Sequence, residues 1–468
     1  MRYQIHEGDN LEWLRAQPDN SIDSVCTDPP YGLGKEPNAL EMLQAWIDHD
    51  YLEVAGAGFM GRKWDAFVPQ PIFWKEVYRV LKPGGHVMSF AGTRTYDWMV
   101  MAIRLAGFEI RDQLIWMYGG GFPKSHNVGK GIDKQAGAER EVIGTRKHAP
   151  KGKTSAYGEF VGDSDQTAPA TPEAQEWDGW GTALSPSHEP IVLARKPLEK
   201  GLTIAQNVLK WGTGALNIDG CRIEHSTVDG GSLATNPHLR SSINGGNGGH
   251  IISTEKDRRV VVPNMQGRWP SNLLLANVPD VIGLFPENAK SGGDGTATPR
   301  NKENNSSYTI GKIRSTTSHE SIGSASRYFF RADMLPIEQE EQLSIEQKAI
   351  YCSKPSQYER DLGADPADEK HCTVKPVAVM HHLATLITPP EGICLDPFCG
   401  SGTTGIGAML AGPSIRFIGL EMQEAQCNRS LNRIKHWKRY RQFIEAKATD
   451  TPAKKAATSA KAVQGSLF

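Results

Sequence analysis

The sequence predicts an α/β fold assembled from two separated stretches of chain, and three observations carry that expectation. Short apolar runs alternate with amphipathic stretches from Tyr3 to about Met117, the pattern of strands and helices packing in layers. The alternation returns from Lys375 to Phe443, after a long middle region without it. Each stretch also holds a strand-like run ending in a chemically unusual turn, Asp28-Pro29-Pro30-Tyr31 in the first and Asp396 to Thr404 in the second.

Within the first stretch, Tyr3 to Ile5 and Ile22 to Cys26 read as strands. Ile72, Phe73, Val77, Val80 and Leu81 recur at helical spacing, and Pro83-Gly84-Gly85 is expected to stop that helix before a strand at His86 to Phe90. Further strand character follows from Phe108 to Met117. Composition then shifts, and residues 118–183 read as a basic insertion rich in Gly, Lys, Ser and Pro. Glu189 to Ala194 brings a core strand back within 184–198. Residues 199–350 carry a glycine-rich run at 228–250 and a polar run at 291–327, with Trp211, Trp269 and Leu273 to Leu275 as packing points. Residues 351–445 give a helix near Val377 to Ile387, a strand at Gly392 to Leu395, a glycine turn, a helix, a strand at Arg416 to Leu420 and a last helix. The tail, 446–468, is too poor in large apolar groups to fold alone. On this reading 1–117 and 351–445 are two halves of one sheet, and 199–350 is a smaller, loop-rich region.

Composition narrows the function classes. Among 468 residues, 52 Lys and Arg stand against 53 Asp and Glu, so no global positive field advertises a polyanion and any such partner is held by local patches. The seven cysteines form no Cys-x-x-Cys pair, which argues against a disulfide framework and a zinc site. No metal is expected. With no apolar signal core and no run of about 18 apolar residues, the sequence points to a soluble protein of a reducing cytoplasm.

Asp28-Pro29-Pro30-Tyr31 puts a carboxylate, a rigid turn and an aromatic face at a strand end. Its two prolines lack N–H groups, so the turn offers hydrogen-bond acceptors without competing donors. That suits a group carrying N–H bonds, such as the exocyclic amine of a nucleobase; a plain tight turn is the competing reading. In the second stretch, glycines between a strand and a helix let a ligand approach the backbone, and the helix N-terminus favours an anionic group. No Gly-Lys-Ser/Thr follows, which argues against a phosphate-binding P-loop. Glu421 ends the next strand at the spacing of a ribose-binding acid. An adenosine cofactor bearing a carboxylate satisfies both features, and S-adenosylmethionine is such a molecule.

Gly8-Asp9, Asp28-Pro29-Pro30-Tyr31, His371-Cys372-Thr373-Val374-Lys375-Pro376 and Phe398-Cys399-Gly400-Ser401-Gly402 occur in that order. Together they resemble the motifs of amino-group-specific DNA methyltransferases of the permuted, beta type, which act on adenine N6 or cytosine N4. This chain has Cys372 where the family usually has proline. The resemblance implies a Rossmann-like, S-adenosylmethionine-dependent methyltransferase sheet with circularly permuted motif order and an inserted target-recognition region. It implies that Asp28, Pro29, Pro30 and Tyr31 are catalytic. Phe398, Gly400 and Gly402 would wrap the methionine part of the cofactor, with Asp396 stabilising the loop. Glu421 would take the ribose hydroxyls, Asp9 would lie near the adenine amine, and Thr373 and Lys375 near the cofactor's carboxylate. Asp rather than Ser at position 28 favours adenine over cytosine.

Double-stranded DNA is then the partner. Lys124, Lys130, Arg195, Lys196 and Arg268 are expected to contact it, and Arg429, Arg433, Lys435, Lys438, Arg439 and Arg441 on the last helix are further candidates beside solvated surface charge. The last five residues, with Gln464, Leu467 and Phe468, resemble the short peptide that binds the bacterial sliding clamp. Two other readings stay open, methylation of RNA or a protein amide, for which Asn usually replaces Asp28, and a DNA-binding protein that has lost catalysis.

Overall fold

The structure is a computed structural model that describes residues 2–54, 56, 58, 63–118, 125–146, 154–155, 158–159, 164–223, 269–276, 285, 289–291, 321–323, 329–332, 355, 357–364 and 374–441. Nine strands form one sheet: β1 (Tyr3–Glu7), β2 (Ile22–Thr27), β3 (Leu81–Phe90), β4 (Glu109–Met117), β5 (His188–Arg195), β6 (Leu273–Ala276), β7 (Phe330–Ala332), β8 (Ile393–Asp396) and β9 (Arg416–Glu421). Their spatial order is β1-β9-β8-β2-β3-β5-β4-β6-β7. From β1 to β3 all neighbours are parallel, while β5 runs antiparallel between β3 and β4. β1 pairs with β9 from Tyr3↔Phe417 to Glu7↔Glu421, so the two α/β stretches are halves of one sheet. Leu273–Ala276 joins it too, parallel to β4.

The helices are α1 (Asn10–Arg15), α2 (Ala39–His49), α3 (Pro71–Val80), α4 (Tyr96–Leu105), α5 (Val128–Ala136), α6 (Ile204–Trp211), α7 (Val377–Ile387), α8 (Thr403–Ala411) and α9 (Glu424–Lys435), with shorter turns between. All six residues of β2 are buried, as a central parallel strand covered on both faces requires. Val25 faces a core shared with Leu14, Trp46, Trp74, Val77 and Met99 of α1 to α4. Its neighbour Ser24 points to the opposite face, where its hydroxyl meets that of Thr388, just past α7, at 2.9 Å. α7 is buried on almost every side, the signature of a helix between layers. At Gly407 of α8 a Cβ would stand 2.7 Å from the Met380 backbone, so α7 and α8 cross closely only because that position is glycine.

One local expectation differs. α3 ends at Val80, but β3 begins at Leu81 and runs through Pro83-Gly84-Gly85 rather than after it. The register against β2 jumps from Ile22↔Leu81 to Ser24↔His86. Gly84, at φ +82°, turns its N–H outward to the carbonyls of Lys196 (3.0 Å) and Pro197 (3.2 Å). The segment is therefore an irregularity carried within a strand, pinned by the chain leaving β5.

The chain forms two compact units. One comprises Met1–Asn217, Asn272–Val278 and Arg331–Phe468 and carries β1 to β6, β8 and β9; the other comprises Ile218–Ser271 and Pro279–Phe330. In the second, Ala289–Ser291 pairs antiparallel with Ser321–Gly323. Among the described residues, no helix is long and apolar enough to cross a membrane.

β8 and β2 are neighbours, but the chain continues from β8 to β9 on one side and from β2 to β3 on the other. Loops leaving their C-terminal ends diverge and open a crevice, where doubly wound sheets bind ligands.

Candidate active site

Asp28 follows the last residue of β2, and each of its carboxylate oxygens accepts a side-chain donor. Lys375 Nζ donates to Oδ2 at 2.6 Å and the Tyr31 hydroxyl to Oδ1 at 2.9 Å. The turn is held from outside. The Asp65 carboxylate accepts the N–H groups of Tyr31 (2.8 Å) and Gly32 (3.0 Å), and the Thr95 hydroxyl donates to the Tyr31 carbonyl. These bonds replace the partners that two consecutive prolines cannot supply.

A second carboxylate completes the group. Glu189, the second residue of β5, has Oε2 3.0 Å from the Tyr31 hydroxyl and 3.2 Å from Lys375 Nζ. The ammonium also lies over the rings of Tyr31 and Phe90, 5.2 and 5.0 Å from their centroids, within cation–π range. The side chains of Asp28 and Glu189 remain 18% and 15% exposed, so a ligand can reach them. Burial raises the Asp28 pKa and the Glu189 charge adds to this, against the lowering by Lys375. Burial pulls Lys375 down, but Asp28 and Glu189 outweigh it and the ammonium is held above its ordinary value. Burial, then the two carboxylates, push Tyr31 well above an ordinary phenol.

Next to this group lies the glycine loop between β8 and α8. Asp396 accepts the Thr27 hydroxyl at 2.7 Å and the Phe398 N–H at 3.0 Å, joining the loop to the strand that ends in Asp28. Burial raises Asp396 to about 6, against these hydrogen bonds and that of Thr404. Glu421, at the end of β9, accepts the Gly400 N–H through one oxygen and the Gln423 N–H through the other, each at 3.0 Å. Gly402 sits at φ +78°, and a Cβ there would meet the Ser430 backbone at 3.0 Å. Asn10 donates to the Pro397 carbonyl at 3.0 Å, bringing the Gly8-Asp9 turn alongside.

This donor and acceptor set fits an adenosine with a charged amino-acid tail. Glu421 has lone pairs left for hydroxyl groups. Phe398 offers a half-buried ring packed against Phe73 at 5.1 Å. Gly402 gives the first turn of α8 no side-chain cap, leaving its amides suited to a carboxylate.

Several sequence-based assignments change. Lys375, expected beside the cofactor's carboxylate, aims its ammonium at Asp28 and Glu189 instead. Asp9 keeps its assignment: it is exposed and caps α1 through one oxygen, accepting the Glu12 N–H at 2.9 Å. Arg195 and Lys196 do not reach the cleft. β5 runs antiparallel with Glu189 at the site, and six residues on, at about 3.3 Å each, Arg195 lies roughly 20 Å away. There it donates to Glu109 at 2.7 Å, while Lys196 is taken up by Asn20 (2.8 Å) and the Leu81 carbonyl (2.7 Å); burial lowers Lys196 to about 8. Arg429 and Arg433 are 2% and 0% exposed, which excludes both DNA contact and solvated surface charge. Arg433 holds the Ser401 carbonyl at 2.6 Å and the Thr403 hydroxyl at 3.0 Å, and Arg429 holds Asp361 at 3.1 Å. Lys130 is exposed on α5. Lys124, Arg268, Thr373 and the clamp-like residues Gln464, Leu467 and Phe468 lie outside the described residues.

Glu189 and Asp65 are the site residues that sequence reasoning missed, and Arg433 is the one it placed in another role. In the sequence Glu189 reads only as the start of a strand; its one signal is an acid entering an otherwise apolar run.

Residues 22–432 match the family model of the N6/N4 enzymes described as DNA methylase. The chain is 25% identical over 267 residues to the type II methyltransferase M.HindIII of Haemophilus influenzae, covering 53% of this chain and 75% of that one. It is 30% identical over 94 residues to the type II methyltransferase M.BglII of Bacillus subtilis, 20% of this chain and 21% of that one. Of the solved structures, the PvuII DNA methyltransferase, described as cytosine-N4-specific, aligns over 92% of this chain and 86% of that one at 13% identity, and its TM-score of 0.38 adds no argument. With its family match extending over most of its length and the motif-bearing turns of both halves meeting in one crevice, the chain belongs to the N6/N4 DNA methylase family.

Proposed function

We propose that this chain methylates the exocyclic N6 of adenine in double-stranded DNA, with Asp28 making that nitrogen reactive. The observation that carries the reading is the meeting of Asp28 with the Asp396-to-Gly402 loop at the ends of adjacent strands, tied by the Thr27–Asp396 hydrogen bond. S-adenosylmethionine, the methyl donor of this family, supplies an electrophilic sulfonium methyl when bound. In this reading Phe398, Gly400 and Gly402 line its methionine part and Asp396 holds the loop. Glu421 takes the ribose hydroxyls, Asp9 lies near the donor's adenine amine, and Thr373 near its carboxylate.

A base inside a duplex hides its amine, so the target is flipped out at a cost of about a few kcal/mol. Tyr31 gives the flipped base a face for stacking. The amino nitrogen is a poor nucleophile because its lone pair is delocalised into the ring. Asp28 and the Pro29 carbonyl, accepting its two N–H bonds, favour a pyramidal nitrogen and stabilise the positive charge that develops there. Asp at position 28 supports adenine over cytosine. Residues 199–350 are the segment assigned to target recognition, 118–183 is a basic insertion, and Lys130 is assigned to phosphate contact together with Lys124 and Arg268.

The test is to incubate the protein with unmethylated DNA and methyl-labelled donor, digest to nucleosides and identify the product. Label in N6-methyldeoxyadenosine is the expected result. Label in N4-methyldeoxycytidine refutes the adenine assignment, and label in neither refutes amino methylation.

A further inference from the structure

The reading above leaves Glu189 without a role, although its carboxylate shares both of the donors that occupy Asp28. We propose that Glu189 is a positioning residue, which draws Lys375 and the Tyr31 hydroxyl off Asp28 as the target amine arrives and gives the site its net negative charge. The inference rests on the reading of Asp28 as the acceptor of that amine.

The geometry supplies the exchange. Asp28 receives Lys375 at 2.6 Å on one oxygen and Tyr31 at 2.9 Å on the other; Glu189 Oε2 stands 3.2 and 3.0 Å from the same donor atoms. A phenol has one proton to donate, so Tyr31 bonds to Asp28 or Glu189 at any moment. An ammonium has three, so Lys375 can tighten onto Glu189 without losing all contact with Asp28. Small shifts therefore loosen the two bonds on Asp28 and leave its oxygens stronger acceptors for an incoming N–H.

Charge makes the same point. Asp28 and Lys375 alone are a neutral pair, with nothing left to balance a cation forming on the substrate nitrogen. With Glu189 the cluster carries one net negative charge on side chains that are mostly buried, where such a charge acts strongly. The groups facing Asp28 are Lys375, Glu189, Tyr31, the Asp396 carboxyl at the end of β8 and the buried Cys26 thiol of β2. Of these, Glu189 pushes the Asp28 pKa upward after burial itself.

The test uses the full chain with Glu189→Gln and Glu189→Asp, reading single-turnover methyl transfer to DNA against pH and donor affinity by equilibrium dialysis. Glu189→Gln is expected to lower the plateau rate at least tenfold, to leave donor Kd within twofold and to move the acid limb to lower pH. Glu189→Asp keeps the charge with a shorter reach, so its plateau falls less and its acid limb stays in place. A Glu189→Gln variant with wild-type rate and acid limb overturns the proposal, as does a donor Kd that weakens in step with the rate. If Glu189→Gln loses its native circular dichroism, Glu189→Asp decides: a reduced plateau with an unmoved limb supports the role, and an unchanged plateau or a displaced limb contradicts it. A wild type that labels no DNA overturns the reading of Asp28 instead, so the two failures are distinguishable.

Discussion

Replacing Arg433 by Met tests whether the donor loop is built from the last helix. The arginine is fully buried and reaches across two segments of chain. Its Nη1 donates to the Ser401 carbonyl at 2.6 Å, the Ser401 hydroxyl at 2.9 Å and the Thr403 hydroxyl at 3.0 Å, and its Nη2 to the Glu359 carbonyl at 3.1 Å. Hydrogen bonds from a charged group are worth about 1.5–3 kcal/mol each. Part of that is offset, because removing a buried charge relieves its desolvation, and methionine fills much of the volume. The Ser401 and Glu359 carbonyls left without Arg433 cost about 1–3 kcal/mol each, which for a domain of this size lowers the melting temperature by on the order of 10 °C. The loop at Ser401 and Gly402 then loses its template. If about 3 kcal/mol of ordering falls to the donor, S-adenosylmethionine binds roughly 100-fold more weakly. Titration calorimetry and a thermal melt of Arg433→Met read both quantities. A variant that melts with the wild type and binds the donor within twofold refutes the reasoning.

The Asp396 carboxyl gives a pH signature. Burial holds the folded carboxyl up at about 6 against an ordinary 3.8, so the folded form binds more protons between those values. Its contribution to stability is full below about 3.8 and is lost as pH rises through 6, a change of about 3 kcal/mol at 1.36 kcal/mol per unit. Stability curves of Asp396→Asn are expected to lack that slope; a wild-type slope in the variant refutes it. For DNA binding, log Kd is expected to rise steeply with log salt. Lys130→Ala is expected to reduce that slope by about 1. Arg195→Ala and Lys196→Ala are expected to leave it unchanged while lowering the melting temperature, and an altered slope in either would return those residues to the interface.

Features that depend on adjacent residues were legible in the sequence. Ile22 to Cys26 marked the central strand, the double proline marked a rigid acceptor turn, and the glycines after Leu395 marked a backbone made for close approach. The pairing of β1 with β9 was also within reach, because both α/β stretches were incomplete alone. What escaped depends on the sheet order. Glu189 reaches Asp28 only because β5 inserts antiparallel next to β3, and nothing in its own segment specifies that neighbour. Arg429 and Arg433 carried a partial signal, since with Gln426 and Ser430 they form one polar stripe at helical spacing. A charged residue on such a stripe reads as solvated until the glycine loop is packed on it. The Pro83-Gly84-Gly85 segment misled for a related reason: the partner of the Gly84 N–H, the Lys196 carbonyl, is over a hundred residues away.

The most direct test of the central claim is single-turnover transfer of labelled methyl from S-adenosylmethionine to duplex DNA by wild type and Asp28→Ala, with donor affinity measured on the same preparations. Asp28→Ala is expected to abolish label in the DNA adenine amine while holding the donor within a few-fold of wild type, because the loop bonds made by Asp396 and Glu421 do not involve Asp28. Turnover retained by Asp28→Ala contradicts the account.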